Sequence, residues 1–214
     1  MTAALLVDMD GTLVDTEPYW MEAERALVAK FGGSWSETDA RSIVGFDLLQ
    51  AADALRVRGG VTMSREDAVY WMLNRVIERC SVKLPWRPGA RELLLDCKER
   101  GVPVVLVTMS WRILANAVLN VAPQGTFTDS VTGDEVSRGK PDPEPYLTAC
   151  NLVDVAPDDC IAIEDSPTGV LSAWRAGCQT ICVPHLVQFD PPDGVKKINT
   201  LAGRKLPDLE ALTH

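Results

Sequence analysis

The sequence predicts an α/β protein: a Rossmann-like parallel sheet core interrupted, just after its first strand, by an all-helical cap. Three observations predict it. From about residue 86 onward, short apolar runs alternate with helix-patterned stretches, as in a parallel sheet covered on both faces. A further apolar run, Ala3-Ala4-Leu5-Leu6-Val7, stands alone at the front of the chain. Between the two, residues 15–85 carry helical periodicity and no strand pattern. The expected domains are therefore 1–14 with 86–214 as the core, and 15–85 as the cap.

Each element has a local reason. The first run closes at Asp8 in a polar turn, so it reads as a buried strand ending in a loop. Pro18 sits in the first turn of a helix whose apolar stripe is Trp20, Ala23, Leu27 and Phe31, and Gly32-Gly33 stops it. Helices follow over 36–43, 48–56 and 64–80, the last opened by Ser64-Arg65-Glu66-Asp67. Pro85-Trp86-Arg87-Pro88-Gly89 changes the style of the chain. Helices over 90–100, 112–119, 143–150 and 168–176 then separate strands over 102–107, near 130–131, and over 160–163 and 180–183. The two crossings between core and cap, near Asp15-Thr16 and Trp86-Arg87-Pro88, are the expected hinges.

Composition narrows the function. Hydrophobic residues make up 46% of the 214 and charged residues 24%, which suits a globular domain rather than a disordered chain. A net charge of −9 with no basic stripe disfavours a nucleic-acid partner, and Lys196-Lys197 reads as a solvated pair. The six cysteines form no CxxC pair, so reduced thiols in a reducing cytosol are expected. Two histidines are too few for a His-rich zinc site. The start carries no basic leader, and the longest uncharged stretch, 113–128, is broken by Asn116, Asn120, Pro123, Gln124 and Gly125. A cytoplasmic monomer with no membrane partner is the expectation.

The chemistry sits at the strand ends, where open α/β sheets bind ligands. Asp8 and Asp10 lie two residues apart on one side of an extended stretch, and two acids so placed repel unless a cation shares them or one stays protonated. The strand ending at Val107 runs into Thr108-Met109-Ser110, a turn offering hydroxyls and free amides before a helix. Gly139-Lys140-Pro141 holds one lysine in a stiff turn. The strand ending at Ile163 delivers Glu164-Asp165, a second acidic pair of the hard oxygen type that Mg2+ prefers.

On these residues the chain resembles the haloacid dehalogenase-like hydrolase superfamily. Asp8-Met9-Asp10-Gly11-Thr12, Thr108, Lys140 and Ile163-Glu164-Asp165-Ser166 match its four motifs in order. The helical insertion resembles the cap of the branch that contains β-phosphoglucomutase and phosphoglycolate phosphatase. The resemblance implies Asp8 as a nucleophile forming an aspartyl-phosphate and Asp10 as the acid and base. It implies Thr108, the Met109 amide and Lys140 on the phosphoryl oxygens. Mg2+ would be held by Asp8, the Asp10 carbonyl, Asp165 and Glu164. Met109 departs from the small polar residue expected there, and its thioether is left to shape the substrate side.

The implied reaction is Mg2+-dependent hydrolysis of a small phosphate ester of the sugar, polyol or glycolate type. A phosphomutase is the alternative within the family, and a receiver-like phospho-acceptor switch the alternative outside it. The second aspartate, Asp10, disfavours a hydrolytic dehalogenase. The mutase reading is weakened because the first cap helix has no histidine and the stretch after Gly45, Phe46-Asp47-Leu48-Leu49-Gln50, has no arginine. Trp20, Phe46, Trp71 and Arg75 are the cap residues that could set selectivity. For the tryptophans, core packing is the first expectation.

Overall fold

Strand β1 (Ala4–Val7) is apolar at every position and buried on both faces, as a central parallel strand must be. The structure is a computed structural model and describes residues 2–44 and 46–213. Met1, Gly45 and His214 therefore lie outside the described residues. Two compact units emerge, Met1–Asp15 with Pro85–His214, and Thr16–Leu84.

In the first unit β1 is followed by α5 (Ala90–Arg100), β2 (Val104–Val107), α6 (Arg112–Val121), β3 (Asp129–Val131) and α7 (Glu144–Leu152), the label α5 leaving α1 to α4 for the inserted unit. A short 3-10 turn, Pro157–Asp159, leads into β4 (Cys160–Glu164), α8 (Pro167–Ala176), β5 (Gln179–Cys182), β6 (Lys196–Lys197) and α9 (Leu206–Thr213). The sheet is parallel throughout, in the order β3-β2-β1-β4-β5-β6. This is the doubly wound order, whose connections reverse direction between β1 and β4.

Alternation along the strands sets the layers. Ala4 and Leu6, Val105 and Val107, and Cys160 and Ala162 share one face, where they meet Tyr146, Ala149 and Cys150 of α7 and Ala173 of α8 in one buried cluster. All six cysteines are buried and free. Beyond Val183 the sequence reading assigns nothing, yet β6 and α9 form there. The Asp96 carboxylate of α5 accepts from the Leu206 N–H at 3.0 Å and from Arg100 Nε at 2.8 Å, which fixes the start of α9. No helix among the described residues is long and apolar enough to cross a membrane.

Where the chain leaves this unit and returns, the two passages run side by side. Val14 and Trp86 form an antiparallel bridge. The Asp15 N–H donates to Pro85 O at 2.9 Å, and the Arg87 N–H to Leu13 O at 2.8 Å.

The second unit is helical: α1 (Glu17–Lys30), α2 (Glu37–Arg41), α3 (Leu48–Gly59) and α4 (Arg65–Val82). Side-chain caps start three of them, Ser36 in a reciprocal box with Asp39, Asp47 on the Gln50 N–H, and Ser64 on the Asp67 N–H. Ala23, Leu27 and Val28 of α1 and Val69, Met72, Leu73 and Val76 of α4 are buried. The tryptophans depart from expectation: Trp20 and Trp71 are only partly buried. The charged groups of Lys30 and Arg75 stand 5.7 and 5.1 Å from the centre of the Trp71 ring.

Buried Glu24 of α1 accepts from Trp35 Nε1 at 3.0 Å, and burial raises its pKa from 4.5 to about 7. The sign follows from linkage. Between those two pH values the unfolded chain has released the proton while the folded one keeps it, so stability falls as pH rises through this window. Glu24→Gln should remove that slope. Comparing urea denaturation at pH 5 and pH 8, wild type should lose about 2 kcal/mol more than the variant. Equal losses would mean that Glu24 is already ionised at the lower pH.

Candidate active site

The reversal point of the sheet explains where the carboxylates meet. β1 and β4 are neighbours, and the Asp8 N–H donates to Ile163 O at 3.1 Å, so the residues after each strand share one crevice. Asp8, Glu164 and Asp165 offer ligand oxygens that all lie within 4.8 Å of one another.

Lys140 is the hub. Its Nζ donates to Asp8 Oδ1 at 2.7 Å and to Val107 O at 2.9 Å, and stands 2.5 Å from Glu164 Oε1. Its side chain is only 4% exposed, and burial opposes its charge, but the two carboxylates prevail and raise its pKa. Asp8 is thus held beside a fixed cation.

Glu164 is fully buried. Burial first, then repulsion from Asp8, pushes its pKa to about 7 against the pull of Lys140. The Tyr146 hydroxyl donates to the same Oε1 at 2.8 Å. Asp165 accepts from Thr12 Oγ1 at 3.3 Å, and burial with repulsion from Asp8 and Glu164 raises it to about 8. Carboxylates this crowded are short of positive charge, and their hard oxygens suit a small divalent cation such as Mg2+.

Asp10 is kept apart from this group. Its Oδ2 accepts from Ser110 Oγ at 2.7 Å, in a turn closed by Gly11 N–H to Val14 O and by Leu13 N–H to Met9 O. Of the two acids, Asp8 meets Lys140 and Asp10 meets Ser110. Thr108 is buried at the end of β2, where its Oγ1 accepts the Ser110 N–H at 3.0 Å. Trp111, not Thr108 or Ser110, occupies the N-cap of α6.

The structure brings Asp8, Lys140, Glu164 and Asp165 together and sets Asp10 and Thr108 on the Ser110 turn. The Met109 Sδ accepts the Lys140 N–H at 3.3 Å, so its thioether reaches the Lys140 turn. Tyr146 and the Asp10–Ser110 bond were not among the sequence expectations. Tyr146, six residues after Lys140 on an apolar helix, reads from sequence as ordinary core.

The family model for haloacid dehalogenase-like hydrolases matches residues 2–177. The chain belongs to this family. Among haloacid dehalogenase-like proteins it is 35% identical over 192 residues to validoxylamine A 7'-phosphate phosphatase of Streptomyces hygroscopicus subsp. limoneus, covering 86% of this chain and 88% of that one. It is 31% identical over 188 residues to the bifunctional riboflavin kinase/FMN phosphatase of Arabidopsis thaliana, covering 87% of this chain. The match spans about half, 49%, of that longer relative. The haloacid dehalogenase-like fold is shared with crystalline CbbY from Rhodobacter sphaeroides in complex with phosphate, at a TM-score of 0.86 and 23% identity, over 98% of this chain and 100% of that one.

Proposed function

We propose that this protein is a Mg2+-dependent phosphatase that hydrolyses a small organic phosphate monoester through an aspartyl-phosphate on Asp8. The observation that carries the reading is the division of labour between Asp8, pinned by Lys140, and Asp10, held by Ser110. Lys140 Nζ, 2.7 Å from Asp8 Oδ1, holds the carboxylate in one position, as in-line attack requires. Asp10 protonates the departing alcohol, then takes a proton from the water that cleaves the acyl phosphate. The Thr108 hydroxyl, the Met109 amide and Lys140 bind phosphoryl oxygens. Asp8, Asp165, Glu164 and the Asp10 carbonyl would hold the metal, which when bound offsets phosphoryl charge. The relatives named as phosphatases support the reaction class.

Phosphate is expected to go to water rather than back to a sugar, because the first helix of the inserted unit has no histidine and the stretch after Gly45 no arginine. Phosphate release from p-nitrophenyl phosphate and from phosphorylated sugars, polyols and glycolate tests the whole reading. Turnover should vanish with chelator and return with Mg2+. Full activity in chelator would remove the metal assignment. A phosphorylated protein that never turns over would favour the acceptor switch. Isomerisation of β-glucose 1-phosphate that outpaces phosphate release would favour the mutase.

A further inference from the structure

The Met109 side chain is the part of the proposed phosphoryl-binding turn to which the chemistry above gives no role. The Met109 carbonyl packs closely on Gly133, where a Cβ would lie 2.2 Å from Met109 O. Its side chain reaches the Lys140 turn, where Sδ accepts the Lys140 N–H at 3.3 Å. Gly139 makes that approach possible: a Cβ there would lie 2.8 Å from Sδ. The sulfur is therefore a latch pressed against bare backbone, on the main chain of the lysine whose ammonium pins Asp8. Met9 and Met72 are fully buried, but Met109 is partly open to solvent.

We propose that Met109 is an oxidation site, at which conversion of the thioether to the sulfoxide by a peroxide frees the Lys140 turn and switches hydrolysis off. The inference rests on the phosphatase reading above. Peroxide transfers one oxygen: an S–O bond forms, the O–O bond breaks, sulfur loses two electrons, and water leaves. Either sulfoxide epimer breaks the latch. With oxygen on the lone pair facing Lys140, the N–H and sulfur stand too close to admit it. With oxygen on the other lone pair, the sulfur turns electropositive and no longer accepts the N–H. The turn moves in both cases, and Lys140 Nζ leaves a position defined by Asp8, Glu164 and Val107 O. A displacement of about 1 Å in a catalytic constellation costs up to roughly 100-fold in rate.

The test exposes the Mg2+-loaded protein to graded hydrogen peroxide, quenches it, and follows both phosphate release and the oxygen content of each methionine peptide. Activity should fall at least about tenfold, in step with oxidation of Met109 and not of Met21 or Met63. Methionine sulfoxide reductases should restore it, and dithiothreitol alone should not. M109L, scored against its own untreated rate, should resist the same exposure. Wild type that stays active with Met109 fully oxidised would overturn the proposal, as would M109L losing the same fraction as wild type. If untreated protein turns over no ester, the phosphatase reading fails. The latch is then decided by amide exchange at Lys140, which oxidation must accelerate about tenfold and whose constancy would refute it.

Discussion

Asp8→Asn lowers turnover by roughly 1,000-fold or more and leaves the fold intact. The amide has the size of the carboxylate and can still present its oxygen to Lys140 Nζ, which lies 2.7 Å from the native carboxylate. It cannot attack phosphorus, and it removes one of three acids from a crowded site. Thermal unfolding should therefore move little, or upward, while phosphate release disappears. Residual activity within tenfold of wild type, in cleanly purified protein, would take the nucleophile role away from Asp8.

Gly169→Ala destabilises the protein by about 2–4 kcal/mol and removes most of its activity. In an ordinary helix the same change stabilises by up to about 1 kcal/mol. Here a Cβ would lie 2.0 Å from Glu164 Oε2 in the first turn of α8. Glu164 is a flexible side chain, but it is fully buried and tied by Lys140 and Tyr146, so moving it leaves buried charge unpaired. Denaturation midpoints and phosphate release on the purified variant measure both effects. A neutral or stabilising outcome would mean that Glu164 does not rest on this helix.

The sequence is most readable where burial is complete and local. β1, β2 and β4 are uniformly buried runs, so apolar composition alone marks them. β6 consists of two exposed lysines aligned only by β5, and α9 is fixed by Asp96 from 110 positions away in the chain. Neither leaves a local signature. At the site, the acids are legible because Asp8, Asp10, Glu164 and Asp165 all follow apolar strand runs, and in a parallel sheet such ends share one edge. Tyr146 does not, since a phenol with a buried partner has the same letter as one filling space. Met109 shows a third limit: sequence identifies an odd residue in the turn, but its reach to Lys140 depends on two glycines elsewhere in the chain.

The paired passages at Leu13–Asp15 and Pro85–Arg87 bear on how such proteins diversify. The two ends of the inserted segment are hydrogen-bonded neighbours, so the sheet registers no strain from whatever the segment contains. Lengthening a loop between ends already held together costs only about 0.6 kcal/mol per doubling. A host built this way accepts grafts: one helical insert can be exchanged for a longer, shorter or unrelated one while β1 and its acidic turn keep their places. The graft can then vary while the acidic turn and the strands beneath it are inherited unchanged.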